Sequence, residues 1–143
     1  GYTYRLSNVL AAIGRGQLKV VNERVKKKKY IYNYYKERLG TISGISFMPM
    51  NDWQSSNCWL TCIQLKDDSL PLKIKNALEA ENIESRLAWK PMHMQKVFKG
   101  NDYIGSDVCE NLFKHGLCLP SDTKLSNDQL DFITQIVKRV ING

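Results

Sequence analysis

After about residue 40, short apolar segments are interspersed with segments in which apolar residues recur every three or four positions. This order limits the folds that the chain can adopt. Apolar and β-prone runs that end at Gly, Pro or polar residues predict strands at residues 44–49, 58–65, 83–89 and 117–120. Apolar residues three or four positions apart predict helices at about residues 71–81, at 106–115 and after Ser126, which forms a capping box with Gln129. This order favours an α+β fold in which helices cover one face of a small, mostly antiparallel sheet.

Two helices are predicted before this part of the chain. The first covers about residues 7–17, with Ser7 as a suitable N-cap, and the second covers residues 18–39. Gly14 and Gly16 lie inside the first helix, where each glycine costs about 1 kcal/mol relative to alanine. We therefore expect another backbone to approach this helix closely.

The formal charge of +7 favours anionic partners, and its densest part is the block Lys26–Lys29. This block lies on the second helix, whose apolar residues are three or four positions apart with Lys28 as the one interruption. We interpret the block as a solvated helix face, with a nucleic-acid-binding stripe as the alternative. No nucleic-acid-binding motif accompanies it, so we expect no nucleic-acid partner.

The sequence contains neither a run of about 18 apolar residues nor a secretory signal pattern. We therefore expect a protein without a membrane span and with a cytoplasmic location. The chain begins with Gly1-Tyr2 rather than methionine and enters a structured pattern at once, which suggests a fragment or a partly resolved chain.

The four cysteines lack the spacing of a metal site or of a disulfide framework. Cys58 and Cys62 flank an apolar run and would point to the same face of a strand, and Cys118 lies in another apolar run. A free cysteine commonly packs as a small apolar residue, so we predict core packing and no metal. The lack of disulfides is consistent with a reducing cytoplasm.

The segment WKPMHMQKVF, residues 89–98, fits neither a regular helix nor a regular strand. Within or just before it lie Arg86, Trp89, Lys90 and His93. On a loop these side chains could hold a phosphate or a sugar, with two cations, a stacking face and a hydrogen-bond donor. A loop that merely packs well is the alternative. The other histidine, His115, precedes Gly116 at the end of a predicted helix, which favours a C-terminal capping role.

Three motifs resemble the C-terminal part of sugar-nucleotide aminotransferases of the DegT/StrS type. They are GYTYRLSNVLAAIGRGQL at 1–18, NIESRLAWKPMHMQKVF at 82–98 and NLFKHGLCLPSDTKLSNDQL at 111–130. The combination of WKPMH with GLCLPSDT is most similar to the branch that makes UDP-bacillosamine-type 4-amino sugars. The resemblance divides the chain into connecting helices, residues 1–39, and an α+β small domain, residues 40–143.

The resemblance implies the C-terminal domain of a fold-type-I transferase that depends on pyridoxal 5'-phosphate and is usually a homodimer. Such an enzyme takes an amino group from an amino acid, commonly glutamate, and passes it to the keto carbon of a UDP-4-keto-6-deoxy-hexosamine. In glycan biosynthesis these reactions supply amino sugars for surface polysaccharides. The cofactor is the electron sink, and the protein supplies orientation and proton transfer.

The resemblance also implies roles for individual residues. Thr3 and Arg5, in the GYTYR motif, correspond to contacts with the cofactor phosphate of the neighbouring subunit. Thr3 stands where the family usually has asparagine, so the hydroxyl replaces an amide. Arg86, Trp89, Lys90 and His93 correspond to the lining of the sugar-nucleotide pocket.

No lysine of this chain has the sequence context of the family's Schiff-base lysine, which belongs to a large domain that precedes GYTYR in the family. We therefore expect the chain alone not to transaminate. Two other functions stay open: a free-standing module that binds nucleotide sugars or other anions, and an oligomerisation or regulatory domain built on the first two helices.

Overall fold

The computed structural model of the protein describes residues 4–143, and within that range it has five α-helices and four strands. The helices are α1 (Asn8–Leu18), α2 (Val21–Leu39), α3 (Leu70–Glu79), α4 (Val108–His115) and α5 (Asn127–Asn142). The strands are β1 (Ile45–Phe47), β2 (Thr61–Leu65), β3 (Arg86–Leu87) and β4 (Gly116–Leu119). Every predicted helix and strand has a counterpart, and the predicted α+β class is confirmed.

The four strands form one sheet in the order β1-β2-β4-β3, and all three pairings are antiparallel. Leu117 of β4 lies opposite Ile63 of β2 on one side and opposite Leu87 of β3 on the other. The last strand in sequence is therefore an inner strand, and β3 is an edge strand.

Strands β1, β2 and β3 are shorter than the sequence predicts, whereas β4 has the predicted length. Local contacts explain the shortening of β2 and β3. Before β2, Cys58 has a φ of 50°, and its N–H donates to Ser56 Oγ at 3.1 Å instead of joining a ladder. Before β3, the N–H of Ile83 donates to the Leu78 carbonyl at 2.9 Å and so closes α3. Pro91 has no N–H to donate, which prevents the extension of β3 into the following loop.

The hydrophobic core lies between one face of the sheet and helices α2, α3 and α5. Alternate residues of β2 and β4 point into it, because successive side chains of a strand face opposite sides. Its fully or almost fully buried members are Ile31, Tyr35, Leu39, Ile63, Leu65, Ile74, Leu78, Leu117, Leu119, Leu130, Ile133 and Val137. Each aliphatic side chain buried in this way contributes about 1.5–3 kcal/mol.

The start of α5 confirms the predicted capping box. Ser126 Oγ accepts a hydrogen bond from the N–H of Gln129 at 3.2 Å, and Gln129 Oε1 accepts one from the N–H of Ser126 at 3.0 Å. Two backbone donors at the helix start are thereby satisfied. The helix begins with its apolar face directed at the sheet.

Helix α1 differs from its prediction. Its N-cap is Ser7, as expected, with Oγ accepting from the N–H of Leu10 at 3.3 Å. However, none of its residues is buried, and a Cβ added at Gly14 or Gly16 would have no heavy atom within 4 Å. The expected close approach of another backbone is therefore wrong for residues 4–143.

Lys28, the one interruption in the apolar face of α2, has a structural role. Its ammonium donates to the carbonyl of Trp59 at 2.9 Å and to the carbonyl of Ser121. These two carbonyls precede β2 and follow β4. Lys26 and Lys29 are exposed, in agreement with a solvated face for those two lysines.

Replacing Lys28 with methionine should lower the free energy of unfolding by about 1–3 kcal/mol, because two carbonyls lose a charged donor. Urea denaturation followed by circular dichroism measures this change. The control is Lys29→Met, which removes the same charge at an exposed neighbouring position and should change the free energy by less than about 0.5 kcal/mol. Equal losses in the two variants would show that the hydrogen bonds of Lys28 contribute nothing specific.

Candidate functional site

Arg86 is an exposed residue of β3, at the edge of the sheet. Its guanidinium donates through Nε at 2.9 Å and Nη2 at 2.7 Å to Glu84 Oε1, and both side chains are about three-quarters exposed. Residues two apart on an extended segment share a face, which explains the pairing. Exposed ion pairs contribute little stability, so a ligand anion could replace Glu84 at small cost.

Trp89 follows β3 and lies beside a second tryptophan, Trp59, from the segment before β2. The ring centroids are 6.4 Å apart with planes tilted by 33°, and both residues are about 65% exposed. Sequence reasoning missed Trp59 as a site residue. The only signal for it was an aromatic residue next to a polar loop, which is too common to indicate a site.

The loop after β3 consists of two single turns of 3₁₀ helix, Met92–Met94 and Lys96–Phe98. Pro91 accepts a hydrogen bond from the N–H of Met94 at 3.1 Å, which forms the first turn. Lys90 is exposed at the start of this loop. The predicted irregularity of residues 89–98 is confirmed.

His93 is engaged within its own chain. Its ring stacks on Tyr103 with 3.8 Å between centroids, and Nε2 lies 3.1 Å from Glu110 Oε1 of α4. The side chain is only 19% exposed. These contacts anchor the loop to α4 and engage Nε2 of the ring within the chain.

Arg86 also lines a cleft of about 630 Å³ between β3, the end of β4 and the start of α5. Cys118, Ser121 and Gln129 contribute to its lining. Trp89, Lys90 and His93 do not line this cleft, so Arg86 alone of the four predicted substrate contacts does.

Of the two predicted cofactor contacts, only Arg5 lies within the described residues. Thr3 lies outside the described residues. Arg5 is exposed in the segment before α1.

His115 does not cap its helix as predicted. Its Nδ1 lies 2.8 Å from the carbonyl oxygen of Leu65, so it joins the end of α4 to the end of β2. Gly116 has a φ of −91° and begins β4 directly. A glycine is needed there because a Cβ would collide with the Leu112 carbonyl and the Ala88 side chain. A tertiary contact thus replaces the expected local one.

No helix within residues 4–143 has the length and apolar character to cross a membrane. In the same range, no group of three or more His, Cys, Asp or Glu side chains could hold a metal ion. The cations and aromatic rings near β3 suit an anionic, ring-containing ligand.

Comparison with known proteins finds aminotransferases among the relatives. The chain is 42% identical over 142 residues to EpsN of Bacillus subtilis (strain 168), a candidate pyridoxal phosphate-dependent aminotransferase; the match covers 96% of this chain and 36% of that protein. It is 30% identical over 149 residues to the GDP-perosamine synthase of Vibrio cholerae, covering 99% of this chain and 39% of that protein. The chain thus spans little more than a third of the length of these relatives.

Solved structures agree. Helicobacter pylori PseC, an aminotransferase involved in the biosynthesis of pseudoaminic acid, superposes with a TM-score of 0.84 at 19% identity, covering 99% of this chain and 39% of that one. This similarity shows a shared fold. The model of the DegT/DnrJ/EryC1/StrS aminotransferase family matches residues 1–138, so the chain belongs to that family.

Proposed function

We propose that this chain forms the sugar-nucleotide-binding part of a pyridoxal-phosphate-dependent aminotransferase for surface-glycan biosynthesis. The enzyme would transfer an amino group from an amino acid, glutamate in our proposal, to the keto carbon of a UDP-4-keto-6-deoxy-hexosamine. Family membership supports the reaction class. The observation that carries the proposal for this chain is the exposed set of Arg86, Trp89 and Lys90 along an edge strand and its loop.

The two cations would attract the diphosphate of the substrate. A guanidinium can donate two parallel hydrogen bonds to phosphate oxygens, whereas an ammonium acts as a compact charge. Arg86 is oriented by Glu84, which holds the guanidinium on the surface. Substrate binding would replace this carboxylate by phosphate oxygens, which keeps the guanidinium charge-paired.

The aromatic side chains would bind the uncharged parts of the substrate. Trp89 and Trp59 present two broad, half-exposed faces, and aromatic faces stack on nucleobases and sugar rings. Nε2 of His93 donates to the Glu110 carboxylate, which can only accept, so Nδ1 of the neutral ring is an acceptor. His93 therefore enters the proposal as an acceptor for a hydroxyl of the substrate rather than as a donor.

Arg5 supports the proposal at the phosphate end of the cofactor, because an exposed guanidinium can pair with a phosphate. When bound, pyridoxal phosphate supplies the electron sink for amino transfer. We propose that Arg5, with Thr3, reaches the cofactor phosphate of the neighbouring subunit in a homodimer. The lysine that carries the cofactor is proposed to lie outside these 143 residues, so that this chain alone would not transaminate.

Further parts of the proposal concern organisation and location. We propose that residues 1–39 connect the small domain, residues 40–143, to a large cofactor-binding domain. We also propose a cytoplasmic location, which is consistent with four unpaired cysteines.

A second candidate, an oligomerisation module, is favoured by α1. Its apolar residues Val9, Leu10 and Ile13 are more than half exposed. A concentration-dependent dimer that binds no nucleotide sugar would favour this candidate over the first.

In the full-length protein, Arg86→Ala and Lys90→Ala should each raise KM for the UDP-linked keto sugar about 10- to 150-fold, with kcat little changed. Each variant loses a charge-assisted contact, worth about 1.5–3 kcal/mol, that acts in ground and transition states alike. The control is Glu84→Gln, which frees Arg86 from its internal carboxylate and should leave KM unchanged or lower it. Loss of kcat at unchanged KM would contradict the binding role, and preference for the GDP-linked sugar would contradict the UDP assignment.

Replacing Glu110 with alanine should loosen the loop 89–98, because His93 loses its hydrogen-bond partner on α4. We expect the amides of Met94 and Gln95 to exchange with deuterated water about 10-fold faster, since losing such a bond costs on the order of 1.5 kcal/mol. Glu84→Ala, which removes an acid that pairs with Arg86 rather than with His93, is the control and should not change this exchange. Unchanged protection in Glu110→Ala would mean that Tyr103 alone holds the ring.

The shared site can be tested by mixing two inactive full-length variants. One lacks Arg5 (Arg5→Ala), and the other lacks the lysine that carries the cofactor. If Arg5 completes the partner subunit's site, mixed dimers contain one intact site and activity should partly recover. No recovery, despite demonstrated subunit exchange, would assign Arg5 to its own subunit's site or to neither.

A further inference from the structure

Two cysteines face each other across the inner pair of strands. Cys62 of β2 is the direct partner of Cys118 of β4, and their Sγ atoms are 3.5 Å apart. Both lie on the face of the sheet opposite the core side chains Ile63 and Leu117. Neither is used in the function proposed above.

The geometry suits a covalent bond. Residues directly opposite on antiparallel strands have Cα atoms about 4.5–5.5 Å apart, and disulfides span Cα separations of about 4.4–6.8 Å. Closing the Sγ–Sγ distance from 3.5 Å to the bond length of about 2.05 Å needs side-chain rotation and a small local adjustment. The register of β2 and β4 would be preserved.

The two thiols are not equivalent. Hydrogen bonding from the Cys118 thiol lowers the pKa of Cys62 to about 7, although burial opposes this shift. The same hydrogen bond and burial raise the pKa of Cys118, while the charge of Arg86, opposite Cys118 on β3, acts in the other direction. Cys62 is half-buried and Cys118 is buried, so a small oxidant reaches Cys62 first.

We propose that Cys62 and Cys118 are a modification site for hydroperoxides, at which Cys62 is the nucleophile and Cys118 the resolving thiol. The Cys62 thiolate attacks the terminal oxygen of the hydroperoxide, an S–O bond forms, the O–O bond breaks, and hydroxide or alkoxide leaves. Sulfur is oxidised by two electrons and the peroxide is reduced. The Cys118 thiol then attacks this sulfenic acid, its proton goes to the leaving hydroxyl, and a disulfide and water form.

The disulfide would join β2 to β4 beside the strand that carries Arg86. Thiol reductants would reverse it, as required of a signal in a reducing compartment. The other two cysteines provide internal comparators. Within the described residues, neither Cys58 nor Cys109 has a second thiol at hydrogen-bond distance, and the neighbour of Cys109 is the Tyr103 hydroxyl at 3.4 Å.

The test treats the full-length, reduced protein with increasing hydrogen peroxide at neutral pH, alkylates the remaining thiols and maps the peptides by mass spectrometry. We expect a linked Cys62–Cys118 peptide at a peroxide dose about 10-fold below that which oxidises Cys109, because the pKa of Cys62 is lowered and a second thiol lies 3.5 Å away to resolve the sulfenic acid. Dithiothreitol should remove the link. Absence of the linked peptide, while Cys109 becomes oxidised, would overturn the proposal.

Two variants separate the roles. In Cys118→Ser the sulfenic acid on Cys62 has no resolving thiol and should be trapped by dimedone, whereas in Cys62→Ser dimedone should label Cys118 at least several-fold less. Cys109→Ser is the control and should form the Cys62–Cys118 link as the unmodified protein does. Equal labelling of Cys118 in Cys62→Ser would contradict the assignment of Cys62 as nucleophile.

Discussion

The burial of β4 is the constraint on which the rest of this structure depends. All four of its residues are buried, and both of its edges are paired, with β2 and β3. An unpaired backbone group in such a place would cost as much as a lost hydrogen bond, so both neighbouring strands are required. The first residue of β4 must be a glycine, because no side chain at Gly116 fits between the Leu112 carbonyl and Ala88.

The segment that follows β4 is held in place by side chains of α2. The hydroxyl of Tyr35 donates to the carbonyl of Pro120 at 2.9 Å, and the ammonium of Lys28 donates to the carbonyls of Ser121 and Trp59. Burial raises the pKa of Tyr35, which keeps the hydroxyl protonated as a donor. Helix α2 therefore contributes an apolar face to the core. Its Lys28 and Tyr35 side chains donate hydrogen bonds to backbone carbonyls just outside the paired strands.

The position of β4 inside the sheet also makes the candidate site possible. Because β4 takes the inner position, β3 is left at the edge, and its side chains and following loop are free to meet a ligand. His93, Tyr103 and Glu110 then hold that loop against α4. A functional segment on a rigid support is a common arrangement, since loops carry binding groups and packed elements fix their position.

The sequence by itself determined the helices, the N-caps Ser7 and Ser126, and the approximate positions of the strands. These depend on contacts between residues a few positions apart, as in the capping box of Ser126 and Gln129, or on periodicity within one segment. It also contained the three motifs that resemble the family, and family membership follows from matching residues 1–138. The roles of Arg5, Arg86, Trp89, Lys90 and His93 stay predictions.

Only the tertiary structure decided which distant residues meet. It placed Trp59 beside Trp89, Cys62 opposite Cys118, His115 against the Leu65 carbonyl and Lys28 between two loops. It also showed that no other backbone approaches Gly14 or Gly16 within the described residues, contrary to the prediction. The physical reason is that strand order and register are set by the combined burial of the whole sheet, and no local pattern in the chain records which strands become neighbours.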